Sequence, residues 1–391
     1  MKSRKLSRTR RRATILTAAA ASVVAGAALL PNWSAGASTA EPEVDAKTKA
    51  TFQRLADAVF TDRTNALVDK PGKGKKPLID GFSGDVAVSS GAARTEDSAL
   101  DQLGDRKDGL ARLGEKYSAA STSVTLDRTS VRGRKAVVAV TETTTLTYKK
   151  VRGDEPRTTG FQAHHKLTFK ADKDGNWRLT DIRETDDGYL AVNQTAKPKV
   201  AAATTTADDT MPSAPRAAIT RPAPSNPKNF TASGYDYKAM AAYAEKYWRN
   251  YNPDYPDFNG QGAGGDCTNF VSQSLKAGGW KHVPGYVYDY TRWFGNADIQ
   301  SHSFVGVNEW SWFALNSKRV TSLANVYQMD VGDVLQIDFD KDGSKDHTMI
   351  VTYRSPQGVP YLTYHSTNTY RRSVASIIAS YPNAAYYAYR T

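Results

Sequence analysis

Between Thr195 and Phe230 the sequence changes to Ala, Thr, Pro and Lys, and six of the chain's 17 prolines fall in this segment. A segment of this composition buries little apolar surface, which predicts an extended, mobile tether. It divides the chain into two stretches that are each long enough for a domain. We therefore predict a domain at 41–194, a linker at 195–230 and a second domain at 231–391.

The first 40 residues have the pattern of an export signal. A basic start is followed by an apolar, Ala-rich run from Ala13 to Leu30 and by small residues that fit Ala-x-Ala cleavage at Ala35–Ala37 and Ser38–Ala40. Arg11-Arg12 leaves twin-arginine export open beside the general secretory route. An uncleaved anchor is the alternative. We predict a cleaved signal at 1–40 and a secreted protein, extracellular or cell-wall associated, without a transmembrane segment.

The net charge argues against a nucleic-acid partner. The chain carries a formal charge of +12, but residues 1–40 contain seven basic residues and no acid. Removing these seven charges from +12 leaves +5 for the remainder. A mild positive charge of this size is typical of a solvated surface. At most it would favour binding to an anionic wall polymer.

The predicted first domain reads as a small α+β unit. Apolar residues at helical spacing predict helices at 46–68 and 98–116. Runs rich in Val, Thr and aromatic residues, separated by Gly-containing turns, then predict strands at 123–126, 136–149, 161–170 and 177–182. We expect a curved antiparallel sheet with helices. Its role stays open between an inhibitor, a wall-targeting module and a dimerisation unit.

Cys267 is the only cysteine, so it cannot form a disulfide within the chain. The residues around it predict a helix that begins at the cysteine, with Asp266 as its N-cap and Gly278 as its end. Free N–H groups and the helix dipole at such a start stabilise a thiolate, and Gly264-Gly265 leaves room for a substrate. The competing interpretation is a small buried side chain. We predict a nucleophile.

His347 is the predicted base for this thiol. It opens the second of three predicted strands, at 331–339, 347–354 and 361–366. A histidine at the mouth of a strand that faces a helix start is the arrangement of Cys–His catalysis on several folds. A solvated turn histidine is the alternative.

Three motifs in this order resemble a family of secreted amidase domains. They are Asp-Cys-Thr-Asn-Phe-Val-Ser-Gln at 266–273, Gly-Asp-Val-Leu-Gln at 332–336 and Asp-His-Thr-Met-Ile-Val at 346–351. The resemblance covers about residues 233–391 and extends to the papain-like group that includes NlpC/P60 and CHAP peptidases. It implies a papain-like α+β fold with a helix-borne Cys267 packed on an antiparallel sheet, His347 as base, and a third polar residue on the next strand.

The third catalytic residue has two candidates. In NlpC/P60-like domains this residue is often a histidine on the strand after the base, and the resemblance therefore implies His365. Strand geometry favours Asn368, because pairing of Arg354 with Tyr361 would place Asn368 opposite His347. We favour His365 and keep Asn368 as the alternative.

Gln261 is a candidate for the oxyanion site. It lies six residues before the cysteine, a spacing similar to that of the oxyanion glutamine in papain-type proteases. An oxyanion donor of this kind contributes roughly 3 kcal/mol to lowering the barrier. A loop glutamine without a catalytic role is the alternative.

Four aspartates, Asp338, Asp340, Asp342 and Asp346, have the spacing of the first part of a calcium loop. Met349 stands where the loop's final glutamate is required, and strands are predicted on both sides. We expect a hairpin turn that at most holds a structural calcium ion, and no other metal or cofactor.

These observations predict a secreted cysteine-dependent amidohydrolase that cleaves an amide bond through a thioester. Export and the resemblance together indicate cell-wall peptide material as the substrate. Two other functions remain open: a catalytically inactive cell-wall-binding module of the same fold, and a transpeptidase or transacylase.

Overall fold

The computed structural model describes residues 45–69, 86–187, 189–195, 211–260 and 265–391. The helices are α1 (Ala46–Asn65), α2 (Ser90–Arg112), α3 (Tyr237–Tyr247), α4 (Cys267–Ala277), α5 (His302–Val305), α6 (Val307–Asn316) and α7 (Val374–Ser380). The strands are β1 (Val86–Val88), β2 (Tyr117–Arg132), β3 (Lys135–Tyr148), β4 (Thr158–Ala171), β5 (Trp177–Glu184), β6 (Thr321–Leu323), β7 (Val334–Asp338), β8 (His347–Arg354), β9 (Pro360–Tyr364), β10 (Asn368–Ser373) and β11 (Ala385–Arg390). The predicted mixture of helices with a large antiparallel sheet is confirmed. The predicted signal at 1–40 lies outside the described residues.

The N-terminal half is built from long antiparallel strands, β2 to β5, with α1 packed on them. Burial alternates along β3, and Phe52, Leu55 and Val59 of α1 lie in the same core as its inward residues. The predicted first helix is confirmed, ending at Asn65. The second begins at Ser90, earlier than predicted, because the hydroxyl of Ser89 accepts a hydrogen bond from the N–H of Ala92 and caps the helix there.

Strand β4 connects the two halves of the chain. One edge of β4 pairs with β3, and its other edge pairs with β5 at residues 165–171 and with β10 at residues 160–162. The strands of the described chain therefore belong to one sheet. The domain boundaries at 194 and 231 stay a prediction, but strands from both predicted domains pair directly.

Residues 211–230, predicted to be a mobile tether, pack along the sheet instead. The N–H of Ala217 donates to the carbonyl of Tyr386 at 2.7 Å, and the N–H of Ala218 donates to Ala324 at 2.8 Å. Lys228 forms a buried ion pair with Asp333, with 2.6 Å between nitrogen and oxygen. Prolines prevent a regular strand here, but isolated backbone groups still pair, and composition alone does not reveal this.

The C-terminal half places helices on both faces of the sheet. Strand β8 shows the alternation: Ile350 belongs to the core formed with α3, α4 and α6, whereas Met349 and Val351 belong to the core formed with α7. The predicted strands at 331–339, 347–354 and 361–366 are confirmed as β7, β8 and β9: β8 has the predicted bounds, β7 is shorter at both ends, and β9 begins one residue earlier and ends two residues earlier. Among the described residues, no helix is long and apolar enough to cross a membrane.

Candidate active site

Helix α4 begins at Cys267, as predicted, and ends before Gly278. Phe270, Val271 and Leu275 form its apolar stripe and lie in the core between α4 and the sheet. The hydroxyl of Thr268 shares a 2.9 Å hydrogen bond with that of Thr348 on β8. This bond fixes the start of the helix against the start of the strand that carries His347.

The sulfur of Cys267 is buried, with the residue only 1% exposed. The sulfur lies 3.7 Å from the hydroxyl of Thr268 and accepts a hydrogen bond from the backbone N–H of Thr348. Burial raises the pKa of the Cys267 thiol to about 11, and the charge of Asp266 adds to the rise, whereas the Thr348 N–H favours the thiolate. A stabilised thiolate was expected, but this conformation holds a neutral thiol. The cost of removing the charged sulfur from water exceeds the stabilisation that the N–H groups at the helix start provide.

Asp266 occupies the N-cap position without capping the helix through its side chain. Its carboxylate accepts hydrogen bonds from Nδ2 of Asn269 at 2.8 Å and from the N–H of Phe258 at 3.3 Å, and it lies 2.6 Å from Nδ1 of His365. Asp266 is thus the N-cap residue, as predicted, but the expected capping by its side chain is wrong. A buried histidine competes for the carboxylate and draws it away from the helix N–H groups.

His365 is held as a partner of Asp266. Its ring lies between Tyr251, at 3.8 Å between centroids, and Phe270, at 3.9 Å, and its Nε2 lies 2.8 Å from the carbonyl of Tyr247. Both ring nitrogens thus face acceptors. His365 packs on α4, whereas His347 projects from the other face of the sheet. The structure therefore places His365 beside Asp266, the residue before the cysteine, and not beside His347, the predicted base.

His347 is fully buried beneath aromatic rings. Tyr189 stacks on it at 4.9 Å and 17°, and Tyr364 meets it edge-on at 5.2 Å. Burial, followed by the charge of Arg372, lowers the pKa of His347 to about 3, so the ring is neutral. Within the described part of the chain, neither ring nitrogen has a hydrogen-bond partner. The neighbouring Thr348 contacts the helix start, but the ring of His347 is not hydrogen-bonded to the sulfur.

Asn368 lies at the seam between the two halves. Its Oδ1 accepts a 2.6 Å hydrogen bond from the hydroxyl of Tyr251, and it pairs with Gln162 of β4. The strand pairing that favoured Asn368 is wrong: Arg354 pairs with Pro360 and not with Tyr361, and the register shifts by one further residue between Val351 and Tyr353. Gln261 lies outside the described residues.

The predicted calcium loop is a hairpin turn between β7 and β8. Oxygen atoms of Asp338, Asp340 and Asp346 lie within 4.8 Å of one another. Asp338 accepts hydrogen bonds from the N–H groups of Lys341 and Gly343, and Asp346 accepts one from Phe339. Asp342 accepts one from Ser344. These contacts close the turn, and calcium binding here stays a prediction.

Comparison with known proteins agrees with the C-terminal assignment. Residues 234–389 match a family described as "Putative amidase domain". Two Bacillus subtilis (strain 168) proteins are each 32% identical: "Uncharacterized protein YhbB" over 142 residues, 35% of this chain and 44% of the relative, and "Uncharacterized protein YjcM" over 138 residues, 35% of this chain and 32% of the relative. The chain thus spans less than half the length of these relatives.

Among solved structures, the intermembrane space region of the chloroplast protein ARC6 is 16% identical and covers 37% of this chain and 98% of its own, with a TM-score of 0.23. Residues 234–389 are similar to a family whose description suggests amide-bond hydrolysis.

Proposed function

We propose that the C-terminal half is a cysteine amidohydrolase with Cys267 as nucleophile and His347 as base. The observation that carries the proposal is the imidazole of His347, which is buried without a hydrogen-bond partner in the described chain. The next residue, Thr348, contacts the start of the cysteine-bearing helix through its hydroxyl. A buried polar group without a partner costs free energy, and such groups concentrate at functional sites. The family match supports amide hydrolysis as the reaction.

The reaction requires the ring and the sulfur to come into hydrogen-bond contact. His347 then takes the thiol proton, and the sulfur attacks the amide carbonyl carbon. The C–N bond breaks as the imidazolium gives its proton to the leaving amine, and water cleaves the thioester to restore the thiol and release a carboxylic acid. The N–H of Thr348 faces the sulfur and favours its charged form.

Peptide in the cell wall is the proposed substrate, and export to the cell surface is the proposed location. The motifs around Cys267 and His347 support a papain-like arrangement of the NlpC/P60 type, and the signal pattern at 1–40 supports export. Transpeptidation differs only in the acceptor that cleaves the thioester, and products formed with an added amine would reveal it.

Digestion of purified peptidoglycan by residues 41–391 tests this function. Wild type is expected to release fragments with new amino and carboxyl ends, identified by mass, and Cys267→Ala to release none. His347→Ala is expected to lose at least about a hundredfold in rate. Equal release by wild type and Cys267→Ala would refute the cysteine mechanism.

The burial of the sulfur favours one competing function, a wall-binding module without turnover. In that case wild type and Cys267→Ala would sediment with peptidoglycan equally, and neither would release fragments. The amidohydrolase requires instead that the buried state be temporary.

A further inference from the structure

The segment that leaves β5, Asp187 and Tyr189–Thr195, contacts His347 and the loop before Cys267; we call it the exit segment. At the nucleophile, Oδ2 of Asp187 accepts a 2.7 Å hydrogen bond from the N–H of Gly260. A Cβ added at Gly265, two residues before the sulfur, would lie 3.1 Å from the Cβ of Asp187. The exit segment thus contacts the approach to α4.

At the base, the exit segment contributes the ring that covers His347. Tyr189 is fully buried and stacks on the imidazole, with Tyr364 and Tyr381 around it at 5.1 and 4.9 Å. Its hydroxyl has no hydrogen-bond partner among the described residues. Tyr189 is therefore held by ring packing, which a phenylalanine would reproduce.

The backbone of the exit segment is bound as an extended peptide would be. The hydroxyl of Thr367 donates to the carbonyl of Tyr189 at 2.5 Å, and Arg372 donates to the carbonyl of Leu190 at 3.2 Å. The N–H of Leu190 donates to the hydroxyl of Tyr381 at 3.2 Å. These donors and acceptors all belong to the C-terminal half.

The far end of the exit segment is held by the N-terminal half. Arg106 of α2 donates to the carbonyls of Val192 and Gln194 at 2.6 and 2.7 Å. The segment is thus fixed at both ends while its middle covers the candidate site.

We propose that the exit segment is an intramolecular inhibitor that covers His347, contacts the loop before Cys267, and must be displaced before a substrate reaches these two residues. This inference rests on the proposed hydrolase function. The burial of the sulfur and of the base, which argues against catalysis in this conformation, is then a property of the inhibited state. An extended peptide substrate would use the same donors, Thr367 and Arg372.

The test compares wild type, Tyr189→Ala and Tyr189→Phe in residues 41–391. Alkylation by iodoacetamide at neutral pH is followed by intact mass, since the single cysteine makes the adduct unambiguous. Peptidoglycan digestion is measured in parallel. Tyr189→Ala is expected to react at least about tenfold faster in both assays, because the covered state loses its main contact. Tyr189→Phe is expected to match wild type.

The outcomes distinguish a failure of the proposed inhibitor from a failure of the proposed hydrolase function. Folded Tyr189→Ala that is alkylated at the wild-type rate overturns the inhibitor. Faster alkylation without digestion by any variant supports the covering segment and refutes the hydrolase. Digestion by wild type and Tyr189→Ala at one rate supports the hydrolase and overturns the inhibitor.

A second variant covers the case in which Tyr189→Ala does not fold, as judged by circular dichroism. Asp187→Ala combined with Thr367→Ala removes two hydrogen bonds of the exit segment, those with Gly260 and Thr367, while Tyr189 is kept, and the same outcomes apply. A synthetic peptide of residues 186–195 is expected to slow alkylation of the released variant, and no slowing would count against the inhibitor.

Discussion

At the scale of single residues, burial decides the protonation of both proposed catalytic groups. It raises the pKa of Cys267 to about 11 and lowers that of His347 to about 3. The pair is therefore a neutral thiol and a neutral imidazole. Access of water or substrate to the site would bring both pKa values back toward their ordinary range, and this links catalysis to uncovering of the site.

The depressed pKa of His347 makes the folded state sensitive to acid. The unfolded chain binds this proton below about pH 6.5, whereas the folded chain binds it only near pH 3. Stability is therefore complete above the higher value and falls as the pH drops through this window. Between about pH 7 and pH 4.5 we expect a loss of about 2 to 3 kcal/mol from this group.

Urea unfolding at the two pH values measures this loss. His347→Gln removes the titrating ring, so the variant should show a correspondingly smaller loss of stability on acidification. Parallel pH dependence in wild type and variant would show that His347 is accessible to protons in the folded state.

At the scale of elements, two contacts fix the start of α4. One joins Thr268 to Thr348 on β8, and the other joins Asp266 to His365, just after β9. Asp266 and His365 are only 1% and 2% exposed. A buried pair of this kind positions the helix that carries the nucleophile.

Breaking the Asp266–His365 pair is expected to destabilise the protein. His365→Phe leaves a buried carboxylate without its imidazole, and Asp266→Asn weakens the same contact; each should cost about 3 kcal/mol in the free energy of unfolding. Because the two changes remove one interaction, the double variant should cost less than the two single costs combined.

A double-mutant cycle by chemical denaturation checks this prediction. Thr352→Val on β8, whose hydroxyl shares a 2.9 Å bond with Thr363, serves as a matched buried control. Strictly additive costs for Asp266 and His365 would mean that the pair does not stabilise the start of α4.

The sequence predicted the elements of the site better than their contacts. The start of α4 at Cys267 and of β8 at His347 followed from local signals: an apolar stripe, turn residues and alternation. The pairing of Arg354 with Pro360 and the register shift near Thr352 left no such signal in the sequence, so the expected pairing of β8 with β9 was wrong. Tyr189 carries no motif, since its contact with His347 joins distant parts of the chain. Long-range packing of this kind is decided by the whole fold and not by local pattern.

At the scale of the whole molecule, the two halves share structure beyond the exit segment. Three residue pairs join β4 to β10, and the hydroxyl of Thr159 donates to the carbonyl of Tyr370 at 2.9 Å. Glu115, after α2, contacts the hydroxyl of Ser373. Composition divides the chain at 195–230, but these contacts cross that division, because β4 still has a free stretch of edge after pairing with β5.

The shared sheet predicts cooperative unfolding. Calorimetry of residues 41–391 should show one transition, because loss of the N-terminal half exposes the edge of β10 and the core beneath α7. Residues 211–391 alone should melt at a lower temperature. Two well-separated transitions in the longer chain would show that the halves are independent domains.

The central claim is that Cys267 forms a thioester with an amide substrate, with His347 as its base. Acid quenching of wild type and Tyr189→Ala during peptidoglycan digestion, followed by peptide mass mapping, tests it most directly. We predict an acyl adduct on Cys267 that accumulates in Tyr189→Ala and is absent from its His347→Ala and Cys267→Ala derivatives. Fragment release that continues without any adduct on Cys267, and that persists in Cys267→Ala, would contradict the claim.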